Sequence, residues 1–212
     1  LTLRLIFLML LWIPSAYAHQ ASTAFLTGGI GNDAVLQANL QLRLFDLERV
    51  IGIDSNYNGQ MTWGELLQHK NEIAIYLKRH FSVEQNQQNC TVNMPANWSI
   101  DSHYGESYLS IPVKIICQEI ELFTIYYSAF MELDSQHKLL INLSYDDQSI
   151  STLVASNLRF ADINPTINSS FSTMATFIVE GMVHIWKGLD HVLFLFTLLL
   201  TSVLIRVDGK WL

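Results

Sequence analysis

An uncharged apolar run from Val192 to Ile205 lies near the C-terminal end of this chain, and it limits the fold more than any other stretch. A surface of that kind has to leave water, and inside a bilayer its backbone groups are satisfied only within a helix or a closed barrel. The run is shorter than the roughly 20 residues a span needs, so it borrows from Gly188 to His191. The spacing predicts a transmembrane helix over 188–205, a juxtamembrane helix over 173–187 and a tail over 206–212. Arg206 and Lys210 follow the run and place that tail in the cytoplasm.

Ionisable groups crowd the mouth of this segment. His184 and His191 are 7 residues apart, almost two helical turns, so a continuous helix carries both imidazoles on one face, with Glu180 on the same stripe. Asp190 lies roughly 100–120° around the axis; it is either a ligand or the group that orients an imidazole. Imidazole plus carboxylate suits nickel, cobalt, zinc or copper. A structural polar cluster fits the same residues, since Asp190 can pair with Lys187 three positions earlier.

The N-terminus reads as a secretory signal over 1–18. Arg4 supplies the charge, Leu5 to Ile13 the apolar stretch, and Ala16-Tyr17-Ala18 the cleavage site. Cleavage leaves His19 first; the alternative is an uncleaved anchor. The recorded chain opens on leucine, which leaves its start open. The destination is therefore a membrane, with residues 19–161 periplasmic or extracellular. Cys90 and Cys117 are the chain's two cysteines. An oxidising compartment favours one disulfide between them, against two buried thiols. The net charge of −7 excludes a nucleic-acid partner, because no basic patch is present to neutralise phosphates.

Residues 35–44 alternate Leu36, Ala38, Leu40, Leu42 and Leu44 with polar neighbours, the pattern of a half-buried strand. A second alternation runs Leu109, Ile111, Val113, Ile115, Cys117, with Pro112 suggesting an edge or a bulge. If Cys117 points inward with that row, a partner at 90–94 crosses the core to meet it. Further strands are expected over 122–127, 139–144 and 151–160, and one long helix over 63–81 with Leu66, Leu67, Ile73, Ala74, Leu77 and Phe81 on its apolar face. The fold class that follows is a mainly β exported domain, antiparallel and sandwich-like, with an EF-hand-like helical insertion, then a polar linker over 162–172 and the transmembrane α-helix.

Residues 54–65 fit a calcium loop position by position. Asp54, Asn56 and Asn58 take positions 1, 3 and 5, Gly59 turns the chain at 6, and Gln60 offers its carbonyl at 7. Thr62 stands at 9, and Glu65 at 12 can bind through both oxygens. Ca²⁺ is the expected ion, bound weakly because Asp54 and Glu65 are the two carboxylates of the loop. A loop held by Asn and Gly turn chemistry alone is the other reading. His137, near Asp134 and Lys138 in a turn, is expected to cap or pair locally in preference to binding metal.

The string Gly181-x-x-His184-Ile-x-x-Gly188-x-Asp190-His191-x-Leu-Phe-Leu resembles the signature of the HupE/UreJ family of membrane proteins. Phe45-Asp-Leu-Glu48, the loop itself and Glu132-Leu-Asp-Ser-Gln-His137 resemble the exported domain of one subgroup. The resemblance implies a nickel or cobalt permease, Ni²⁺ or Co²⁺ as the transported ion, and a link to hydrogenase or urease maturation machinery. It also implies contact with membrane lipid and with further transmembrane helices, so the chain reads as the N-terminal portion of a longer protein or a short form. A membrane-anchored binding or sensor module that transports nothing is the alternative. No enzyme is expected: the sequence contains no H-E-x-x-H, G-x-S-x-G or P-loop motif.

Overall fold

A computed structural model describes residues 22–31, 33–103, 105–119, 121–146, 148–165, 170–187, 189–203, 206–207 and 210–211. The expected signal segment over 1–18 and His19 lie outside the described residues. Two sheets share one core. The strands are β1 (Thr23–Ile30), β2 (Val35–Arg43), β3 (Phe81–Gln85), β4 (Gln88–Asn89), β5 (Thr91–Asn93) and β6 (Ser99–His103), then β7 (Glu106–Ile116), β8 (Phe123–Tyr127), β9 (Lys138–Tyr145), β10 (Gln148–Ala155) and β11 (Phe160–Ile163). The larger sheet runs β10-β9-β1-β2-β7-β5 with β6 also on β7, and the smaller runs β11-β8-β3-β4. Leu26, Leu40, Leu109 and Ile141 from the first meet Val83, Ile125 and Ile163 from the second, all essentially without solvent contact.

The larger sheet is mixed, which corrects the antiparallel expectation. β1 lies between β2, to which it is antiparallel, and β9, to which it is parallel, with Ala24 opposite Leu139. The expected strand over 151–160 is two strands in different sheets. The chain turns at the bridge between Ala155 and Leu158 and passes from β10 to β11. Pro112 sits inside β7, not at an edge. β5 pairs with residues 114–116 and β6 with 106–110, so the side of β7 away from β2 is open where the proline lacks its N–H.

Three helices separate β2 from β3: α1 (Leu44–Ile51), α2 (Trp63–Gln68) and α3 (Lys70–His80). The strand expected to end at Leu44 stops at Arg43, because Leu44 and Leu47 bury as helix residues under the sheet. The long helix expected over 63–81 breaks at His69 (φ −91°, ψ 9°), and Phe81 opens β3. The break lets Leu66, Ile73 and Leu77 all reach the core while turning Leu67 outward, 43% exposed. His69 bridges the junction, with Nε2 3.1 Å from Ser55 Oγ and Nδ1 2.7 Å from Glu72.

This insertion caps one pole of both sheets, where β2 ends at Arg43, β9 begins at Lys138, and Phe81 pairs with Tyr127. The chain leaves β11 at the other pole, since Phe160 pairs with Tyr126 and Ile163 with Phe123. The disulfide between Cys90 and Cys117 lies at that exit pole, with Cα atoms 4.7 Å apart. It does not cross the core. Thr91 already pairs with Ile116, so the bridge joins neighbouring strand ends where the chain passes from the smaller sheet to the larger.

Beyond the sheets stand α4 (Ser170–Lys187) and α5 (Leu189–Val203), then a short pair, β12 (Arg206–Val207) with β13 (Lys210–Trp211). Among the described residues no helix is both long and apolar enough to cross a membrane. The span expected over 188–205 is observed as the 15 residues of α5, about 22 Å at 1.5 Å per residue against a hydrocarbon core of roughly 30 Å.

Candidate metal centres

Each stretch of 44–68 has a local reason for its shape. α1 ends at Gly52, whose φ of 74° takes the left-handed conformation that closes a helix, with its N–H donating to the Glu48 carbonyl. Ile53 is fully buried, so the chain emerges from the core at Asp54 and begins its loop there. Glu48 accepts from the Asp54 N–H at 2.8 Å, a contact the sequence reading did not foresee. Tyr57 and Gly59 both take positive φ, 57° and 77°, which curls the loop on itself.

The expected ligands converge. Asp54 accepts from the N–H groups of Asn58 (3.2 Å) and Gly59 (2.7 Å). Asn56 Oδ1 accepts from the Asn58 N–H at 3.0 Å, and Asn58 Oδ1 from the Gln60 N–H at 2.8 Å. Across the loop, Glu65 Oε1 accepts from Asn56 Nδ2 at 2.7 Å. Thr62 and Glu65 form a capping box: Thr62 Oγ1 accepts from the Glu65 N–H, and Glu65 Oε2 accepts from the Thr62 N–H at 3.0 Å. Hydrogen bonds from Thr62 hold the Glu65 carboxyl below the usual carboxylate range. Asp54 and Glu65 are both largely shielded from solvent.

The helix–loop–helix is complete on both sides, because α1 supplies an entering helix that periodicity had not revealed. The donor set is all oxygen, which fits a hard cation. Two carboxylates make it a low-charge set, and among the described residues no group of three His, Cys, Asp or Glu side chains could hold a metal.

The second cluster is less completely described. His184 belongs to α4, and Asp190 and His191 belong to α5. Gly188, and the side chains of these three residues, lie outside the described set, so the shared helical face expected of the two histidines is not described. The described side chains around them are apolar and exposed: Met182, Val183, Ile185 and Trp186 on α4, Val192 to Phe196 on α5.

Fold and sites together define a β-rich domain bearing a helix–loop–helix, followed by two helices whose described side chains are largely apolar and exposed. Residues 161–208 match the family described as HupE / UreJ protein. No curated protein matches the sequence.

Proposed function

We propose that this chain is the exported domain and first membrane segment of a HupE/UreJ-type protein that handles nickel or cobalt, as a transporter or as an accessory to metallocentre assembly. The family match over 161–208, which contains His184, Asp190 and His191, carries this reading. The uncovered apolar side chains of α4 and α5 support a membrane location. Lipid and the further helices of a complete protein are the partners that would cover them, since one helix cannot enclose an ion path. Hydrogenase or urease maturation machinery is the downstream partner. His184 and His191 act as ligands to the transported ion, and Asp190 ligates it or orients an imidazole.

Calcium serves the exported domain. Asp54, Asn56, Asn58, Gln60, Thr62 and Glu65 would hold it, and the bound ion supplies the positive charge that keeps both carboxylates together. Few charged ligands imply a Kd of about 10⁻⁴–10⁻³ M, suited to a structural staple outside the cytoplasm. Because the loop caps the pole opposite the chain's exit, a second reading has support: an anchored module that presents this pole to the periplasm and transports nothing.

Uptake decides between them. In cells lacking other nickel uptake and expressing the complete protein, His184→Ala or His191→Ala is expected to abolish nickel or cobalt accumulation while membrane insertion persists. Accumulation that survives both substitutions contradicts the ligand assignment and returns the cluster to a structural role, whereas a wild type that accumulates neither metal contradicts the transport reading.

A further inference from the structure

Apart from both metal centres, four polar side chains are enclosed at the helical pole. Ser22 and Asp46 are 3% exposed, and Tyr127 and His137 are 1% exposed. They come from four places in the fold: the residue before β1, helix α1, the end of β8 and the turn before β9. Ser22 Oγ lies 2.5 Å from Asp46 Oδ2 and 2.5 Å from His137 Nδ1, and the Tyr127 hydroxyl lies 2.9 Å from His137 Nε2.

The supply of hydrogens fixes every direction in this chain. Ionised Asp46 can only accept, so Ser22 gives it the one hydroxyl hydrogen it has. Ser22 oxygen then accepts from His137, which puts the imidazole proton on Nδ1. His137 Nε2, left with a lone pair, accepts from Tyr127. Three donors meet three acceptors with none left over.

One further proton cannot be added without a loss. On His137 it creates an Nε2–H aimed at the Tyr127 oxygen, and the phenol hydrogen loses its acceptor. On Asp46 it reverses Ser22 toward Nδ1, the imidazole proton moves to Nε2, and the same phenol hydrogen is orphaned. The Tyr127 hydroxyl has no other hydrogen-bond partner among the described residues. A buried donor without an acceptor is destabilising.

We infer that the Asp46–Ser22–His137–Tyr127 chain is an acid-sensitive latch, holding α1 against the sheet while its imidazole is neutral and loosening when a proton enters the imidazole. The surrounding charges do not prevent this. Asp134 and Glu132 on the adjoining turn favour a proton on His137, yet burial outweighs them and holds its pKa down to about 4. Burial likewise pushes the Asp46 carboxyl up, against the Ser22 hydrogen bond and the nearby Arg43 and Arg49. Tyr76, from α3, adds a neutral phenol facing Tyr127. The folded value of His137 lies below the ordinary 6.5, so protons favour the unfolded chain. His137 therefore contributes fully to stability above about pH 6.5, and that contribution is lost as pH falls toward 4. Asp46 has the opposite sign and offsets part of the loss, which is why a substitution at His137 is needed to isolate it.

Urea unfolding of the full chain in detergent micelles, followed at pH 7.5 and 4.5, tests the latch. The folding equilibrium of the wild type is expected to fall on the order of 10²-fold more than that of His137→Gln over this interval. Equal pH dependence in the two proteins overturns the inference. Imidazole ¹⁵N spectra of the wild type give an answer even if the variant does not fold. One histidine is expected to stay neutral with its proton on Nδ1 at pH 5.5, whereas titration of every histidine near 6.5 overturns the latch.

Discussion

Asn56 Nδ2 donates to Glu65 Oε1 at 2.7 Å, joining the third and twelfth positions of the loop across its mouth. Glu65 is held on its other oxygen by Thr62, so both of its carboxylate oxygens are engaged within the loop. Thr62→Ala removes both the helix cap and this restraint. It is expected to cost about 1 kcal/mol in the absence of calcium, read as a lower midpoint in urea, and to weaken calcium binding as well.

Gly59 tests the loop's backbone independently of its ligands. Its φ of 77° strains any L side chain, although a Cβ there would meet no neighbouring atom within 4 Å. Gly59→Ala is therefore expected to destabilise by roughly 1–2 kcal/mol through conformation alone. A melting temperature equal to that of the wild type would show that the turn is not as tight as described.

The disulfide gives a separate prediction at the other pole. Closing 27 residues between Cys90 and Cys117 contributes about 3.5 kcal/mol in the chain-entropy treatment. Mass mapping of unreduced protein from an oxidising compartment should yield one linked peptide pair. Reduction should lower the unfolding midpoint; two freely alkylated thiols in folded protein would contradict the bridge.

An exported domain with its tail in the cytoplasm is the topology expected from the positive-inside tendency. A reporter fused after Leu212 is expected to be active only in the cytoplasmic form, with the domain over 19–161 protected from cytoplasmic protease. Activity confined to the outer side would reverse the orientation.

The elements that could be read from the sequence are those whose side chains announce a period. β2, β7, β8 and β9 alternate cleanly, and the structure keeps each of them with its ends shifted by a few residues. β1 was missed because Gly28 and Gly29 interrupt its alternation. Gly28 lets β1 approach β2 so closely that a Cβ there would collide with the backbone of Gln37 and Ala38. α1 was missed because its 8 residues continue the leucine alternation of β2 before turning to a helical repeat. The latch was invisible for a different reason: Ser22, Asp46, Tyr127 and His137 lie far apart in sequence, and only the pole where their segments meet brings them together. His137 was expected to pair locally. Its side-chain partners are instead 115 and 10 residues away.

Calorimetric titration of the full chain in detergent with calcium tests the loop directly, with Glu65→Gln as the comparison. The wild type is expected to bind a single Ca²⁺ with a Kd of about 10⁻⁴–10⁻³ M, and the variant, lacking the bidentate charge, to show only heats of dilution. Dilution heats alone from the wild type up to tens of millimolar calcium, or binding unchanged in the variant, would contradict a calcium site at 54–65.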